Sequence, residues 1–363
     1  NIIFKFFNYK KRKIIQICSL LFLSSPVLVA LVSSHKPMLI GISMVFLSGF
    51  LVINFLVDKN FSHKNKLKIF GITTLLLLTA STIKLNFILS SSIIGIYSLF
   101  IMIKSRIILQ SFFLGFFLFL IVFFPFTIWK TYHFGGNVFL NILEAFPGNY
   151  PATDEFYNQL KNWRDNESFF PLNLIFTSNL SLITTVLGVG TILLILPTFK
   201  IQNYKSFKFK IFVFLSLLIS LFLYFLSQKN SRFFLEVYLL LTISLLYLNI
   251  NNNKQIINMS KYLLYPQCIA TLLITTYGII FISIGSINYQ LRQNVMITKA
   301  HGYQISKWLD DIFPKNATFI NALGQYASLM PRNSISNDWH SYTKTNKEIE
   351  YYYDIVRAKE PKY

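Results

Sequence analysis

Stretches of about twenty mostly apolar residues recur along this chain, each long enough to cross a bilayer core as a helix. They fall near residues 14–34, 37–57, 68–83, 85–103, 107–128, 172–198, 211–227, 233–250 and 262–287. Repeated stretches of this kind fix the solvent before they fix the fold. In hydrocarbon, every backbone N–H and C=O has to be satisfied within the protein, so each span takes the form of a helix. The expected class is an α-helical polytopic membrane protein of about nine spans, closed by a small C-terminal α/β outer domain. Composition agrees. Of 363 residues, 53% are hydrophobic and only 13% charged, where a soluble domain would carry about a quarter charged. So much apolar surface does not fit inside one globular core.

The spans divide the chain into N-terminal membrane spans (1–128), an outer loop (129–171), C-terminal membrane spans (172–287) and an outer polar α/β tail (288–363). Lys84 interrupts the apolar run at 68–103, where a tight hairpin is expected to turn. Orientation follows from where Lys and Arg fall. One set of alternate connections holds Lys5–Lys13, Lys59–Lys68, Lys104, Arg106, Lys200–Lys210, Lys254 and Lys261. The other set is poorer, with Lys36, Lys84, Lys130, Lys161, Arg164, Lys229 and Arg232. The N-terminus is therefore expected in the cytoplasm and the tail outside. The net charge of +20 does not point to nucleic acid, because the basic residues follow the membrane connections. The two cysteines, Cys18 and Cys268, lie inside apolar stretches and form no metal-ligand spacing. Packing is their expected role.

Chemistry is expected at the outer surface. The 129–171 loop sets Trp, Tyr and Phe beside Asp154 and Glu155, an adjacent acid pair able to act as a general base or to hold a divalent metal. Adjacent acids are also common on solvated loops, and aromatics at this level also anchor the headgroup zone. His133 titrates near neutrality in its ordinary state; anchoring is its plainer role. A sharper feature is SQKNSRFFLEVYLLL, residues 227–241. Lys229 and Arg232 stand at the mouth of a span, where free helix N–H groups and a guanidinium fork together suit a phosphate. Snorkelling of basic residues at a span end is the competing reading. Glu236 lies four residues beyond Arg232, and an acid at that depth is costly unless paired or facing water. An Arg232–Glu236 pair one turn apart is the expected solution. In the tail, Ile305, Trp308, Leu309 and Ile312 predict a helix that Pro314 stops, and 317–320 reads as a short strand.

Three of these stretches carry a resemblance. TIKLNFILSS (82–91), FPFTIWKTYHFGGN (124–137) and SRFFLEVYLLL (231–241) resemble segments of the GT-C class of glycosyltransferases, multispan bacterial membrane enzymes that take a sugar from a polyprenyl-phosphate carrier at the outer face. The resemblance implies residence in the bacterial cytoplasmic (inner) membrane and the sugar-bearing polyprenyl phosphate and membrane lipid as partners. It implies a donor-phosphate role for Arg232, assisted by Lys229 and Lys130, and in some relatives a divalent metal. His133 and Glu236 belong to the same expected substrate-binding group. That class places its catalytic Asp in the first outer loop, whereas the corresponding loop here, 33–36, is SSHK and holds no acid. An upstream span and its acidic loop are therefore expected to precede Asn1. Two other readings stand beside this one: a surface-polysaccharide polymerase or ligase, which would carry several Arg in the outer loop, and a lipid or solute transporter, which would show internal repeats and broken helices.

Overall fold

A computed structural model describes residues 12–32, 38–58, 61–84, 86–134, 170–177, 180–199, 206–226, 229–248, 254–300, 302–316, 319–321 and 334–336. These fall into two compact units, one running from the N-terminus to Leu273 except for pieces of the 129–171 loop, the other holding those pieces and the chain from Ile274. In the first unit the helices are α1 (Arg12–Ser24), α2 (Pro26–Val32), α3 (Met38–Leu51, continued by a π-helical turn Val52–Leu56), α4 (His63–Ile83) and α5 (Phe87–Lys104). They are followed by α6 (Ile108–Leu118), which passes through a π-helical turn, Phe119–Phe123, into α7 (Phe124–Phe134). Beyond the loop come α8 (Thr191–Phe199), α9 (Phe207–Leu226), α10 (Leu235–Ser244) and α11 (Lys254–Ser283), the last continuing into the second unit.

Among the described residues, six helices are long and apolar enough to cross a membrane: Met38–Leu56, His63–Ile83, Phe87–Lys104, Ile108–Trp129, Phe207–Phe225 and Asn258–Ser286. The chain is a helical membrane protein. The expected nine spans are reduced for identifiable reasons. The 14–34 span is a pair of helices, Lys13–Ser24 and Pro26–Val32, bent by 62°. Pro26 has no N–H to continue the ladder of α1. The 172–198 stretch is not one helix but two short 3-10 turns, Leu172–Leu174 and Leu180–Thr185, followed by the nine-residue α8. The 233–250 stretch narrows to a shorter apolar helix, Leu235–Tyr247. In contrast, the hairpin expected at Lys84 forms: Lys84 caps α4 in an extended conformation and Phe87 begins α5.

The short α10 is the centre of the first unit. Leu235, Glu236, Val237, Tyr238, Leu239, Leu240, Thr242 and Ser244 are all buried, and Leu241 and Ile243 partly so, so most of the helix surface is covered, as expected of a central bundle helix. It packs on α9, α3 and α1. Close approach relies on small residues, as is usual between helices in a membrane. A Cβ at Gly49 of α3 would come within 2.9 Å of Leu240, and one at Gly41 would overlap the Phe87 ring of α5. Tyr238 donates its hydroxyl hydrogen to the Leu21 carbonyl of α1 at 2.6 Å, and the Cys18 thiol donates to the Thr242 carbonyl.

The bend between α1 and α2 is made tolerable by side chains from α11. The Ser24 carbonyl accepts from Gln267 Nε2 at 3.1 Å and from Thr271 Oγ1 at 2.7 Å, and Gln267 Nε2 also donates to Ser24 Oγ. The other end of the same amide accepts the Gly190 N–H at 2.6 Å. The 180–190 segment can reach this knot because Gly188 adopts a φ of +96°, a conformation open to glycine. Val27 N–H closes the bend on the Val186 carbonyl.

In the second unit, α12 (Tyr289–Lys299) is capped by the Asn288 side chain, which accepts the Leu291 N–H. The helix expected around 305–312 is α13 (Tyr303–Ile312), ending before Pro314. Two three-residue strands, β1 (Phe319–Asn321) and β2 (Ser334–Ser336), pair in parallel with Ile320 opposite Ile335. The expected α/β tail is represented by these elements alone among the described residues; a complete α/β domain is not described.

Gln267 holds groups that hydrocarbon would otherwise leave unbonded, each worth about 1–3 kcal/mol when stranded. Gln267→Leu should therefore lower the thermal midpoint of the detergent-solubilised protein by several degrees. Exposed Gln304→Leu should leave it unchanged. A scan by tryptophan fluorescence checks both.

Candidate functional site

The turn before α10 and the hairpin between α4 and α5 meet at one end of the first unit. Asn230 stands extended, and its side-chain oxygen accepts the Arg232 N–H at 3.2 Å. This cap winds Ser231–Phe233 into a single 3-10 turn rather than the first turn of an α-helix. The tighter winding rotates Arg232 off the face it would share with Glu236 in a continuous α-helix. Its guanidinium carbon lies 4.8 Å from the centre of the Phe233 ring. Lys84, from the α4–α5 hairpin, places its ammonium 4.8 Å from the centre of the same ring. Two cations from distant parts of the chain therefore share one aromatic ring. Each such contact is worth about 0.5–2 kcal/mol, more as water is excluded. The Lys84 ammonium also lies 3.7 Å from the Met38 sulfur at the start of α3.

Further aromatics extend the cluster. Lys229 holds its ammonium 4.9 Å from the Tyr224 ring centre. Phe170 packs against both Tyr224 and Phe234, with centroids 5.3 Å away in each case. Asn173 donates to the Lys229 carbonyl at 3.0 Å, fixing the 170–174 segment beside the turn. Arg232 and Lys229 are both half-buried. The charged ends of both rest on rings.

Glu236 occupies a different place from the one its sequence spacing suggested. It is 4% exposed. Its carboxyl group lies beside Ser90 of α5, whose hydroxyl donates to the Phe87 carbonyl, and its Oε2 atom has no hydrogen-bond partner among the described residues. The expected Arg232–Glu236 ion pair does not form, for the geometric reason given above. Among the remaining expected site residues, Lys130 and His133 lie on α7, with side chains outside the described set. Asp154 and Glu155 lie outside the described residues altogether. The described residues contain no cluster of three or more His, Cys, Asp or Glu able to hold a metal.

Residues 5–296 match the family model of the DUF1420 N-terminal domain. The chain belongs to the DUF1420 family. No curated protein and no solved structure matches it. The matched range takes in Lys84, Lys229, Arg232, Phe233 and Glu236, so the whole cationic cluster lies within the DUF1420 region. Lys84 is the site residue that the sequence reading missed. Two signals were available: it falls in the same charge set as Arg232, and it sits within the 82–91 stretch that carried the resemblance.

Because the buried Glu236 carboxyl group has the neutral Ser90 beside it and forms no ion pair with Arg232, Glu236→Gln should cost the DUF1420 chain little stability, less than about 1 kcal/mol. Removal of one partner of a true buried ion pair would cost about 3–5 kcal/mol. Thermal or denaturant unfolding of the two proteins in the same detergent separates these outcomes.

Proposed function

We propose that this DUF1420 chain grips the phosphate of a lipid-linked sugar at the outer membrane surface and takes part in transferring that sugar to an acceptor. The observation that carries the reading is the joint placement of Lys84 and Arg232 on the Phe233 ring. A phosphate ester needs positive charge aimed at its oxygens, and a guanidinium fork beside an ammonium supplies directional and non-directional charge together. The aromatic floor supports both cations side by side.

In glycosyl transfer the acceptor oxygen bonds to the anomeric carbon as the bond from that carbon to the phosphate oxygen breaks. The electron pair leaves on the lipid phosphate, and the acceptor proton passes to a base. Arg232 and Lys84 are suited to the leaving phosphate, where negative charge develops. The base is assigned to a carboxylate of the outer surface, with Asp154 and Glu155 the candidates within this chain. The resemblance to the GT-C class supports the reaction type and the inner-membrane location. Transport is the weaker reading. Broken helices serve transporters where their freed backbone groups face a cavity, whereas the Ser24 carbonyl at the break in this chain is bonded by Gln267 and Thr271.

Undecaprenyl phosphate in nanodiscs, followed by native mass spectrometry, tests the site. Arg232→Ala and Lys84→Ala should each weaken binding by about ten- to a hundred-fold, the size of a lost charge-assisted hydrogen bond. Lys64→Ala, the same charge change on an exposed residue, should have no effect. Wild-type affinity in Arg232→Ala would end the phosphate assignment.

A further inference from the structure

The α4–α5 hairpin carries a second cationic site at its other end, independent of the reading above. A cavity of about 510 Å³ lies there, lined by His63, Lys66, Lys104 and Arg106 with Tyr97 and Phe100 among its walls. That volume lies within the range of small-ligand pockets, about 300–1,000 Å³. No carboxylate is among the described residues that line it.

Three features mark the cavity as built for an anion. First, Lys66 is 8% exposed, and its ammonium donates to the Ser105 hydroxyl at 3.2 Å. A neutral hydroxyl satisfies one of its three N–H groups and supplies no counter-charge, which a buried ammonium needs. Second, Arg106 follows the C-cap of α5 with a φ of +60°. Glycine is the ordinary residue at that left-handed position. An arginine held there adds a five-donor fork at the mouth of the cavity. Third, Lys104 sits 4.6 Å from the Phe100 ring centre, so the rim repeats the cation-on-aromatic arrangement of the opposite end. The 21 residues of α4 span about 31 Å at 1.5 Å per residue, close to the thickness of a hydrocarbon core. Lys66, near the first turn of α4, and Lys84, at its cap, therefore stand at the two headgroup levels of one bilayer.

We infer that this cavity binds a phosphate-bearing anion at the membrane surface opposite the Lys84–Arg232 cluster. The walls of Leu56, Phe100 and Phe207 suit a phosphate carrying hydrocarbon, and basic pockets between spans are a recurrent form of anionic-lipid site. A soluble phosphate shares the same recognition chemistry, and the experiment separates the two sources.

The full chain is purified in detergent and incubated with phosphatidylglycerol, with phosphatidylcholine, or with inorganic phosphate at matched ionic strength. Lipid retention is read by native mass spectrometry and phosphate binding by the thermal midpoint. Phosphatidylglycerol should be retained at least ten-fold more strongly by wild type than by K104Q/R106Q, and phosphatidylcholine equally by both. Lys104 and Arg106 are exposed, so the double variant keeps the fold even where Lys66→Met does not. Lys66→Met should reproduce the loss, and K64Q should not. A midpoint shift with inorganic phosphate, absent in K104Q/R106Q, would support the site with a soluble ligand instead. The inference is overturned if neither probe distinguishes wild type from K104Q/R106Q, or if K64Q causes an equal loss. Binding of undecaprenyl phosphate at Arg232 is unaffected by either result.

Discussion

A basic side chain on a helix hairpin that crosses hydrocarbon has two comfortable positions, the two headgroup levels about 30 Å apart. This constraint organises the chain. Lys84, Lys229 and Arg232 gather at one end of the first unit, while His63, Lys66, Lys104 and Arg106 gather at the other. At both ends, cations rest on aromatic rings instead of extending fully into water. A lysine or arginine held over a ring loses part of its conformational freedom in advance.

The interior obeys the complementary rule that polar backbone groups must be bonded where water is absent. The α1–α2 break, the Gly188 turn and the Gln267 amide form one solution to it. Glu236 is one exception among the described side chains. It is buried in α10 with one oxygen lacking a partner, one turn from the cationic cluster and beside Ser90 of α5 rather than paired with Arg232. An acid in that position stands between the α4–α5 hairpin and the 230–236 turn, the two segments that meet at the Phe233 ring.

Hydropathy made the membrane class, the long helices and the Lys84 hairpin legible, because each depends on local composition. It missed the breaks. A window of apolar residues around Ser24 cannot register that Gln267, 243 residues away, will bond the carbonyl freed there. The same averaging turned 172–198 into a span. At the site, alternation of charge placed Lys84 and Arg232 on the same side of the membrane. Their shared ring was invisible, since it arises only when the α4–α5 hairpin packs beside α10. The i, i+4 spacing of Arg232 and Glu236 misled for a local reason: Asn230 caps a 3-10 turn, and the helical face on which the pairing depends begins only at Leu235.

If Lys84 and Arg232 act on one phosphate, their effects cannot be independent. A double-mutant cycle on undecaprenyl phosphate affinity, using wild type, Lys84→Ala, Arg232→Ala and the double variant, measures this directly. A shared phosphate requires a coupling of about 1 kcal/mol or more, within the range found for groups in contact with one ligand. Strict additivity of the two single losses would mean that the cations serve separate purposes, and the single-site description would be wrong.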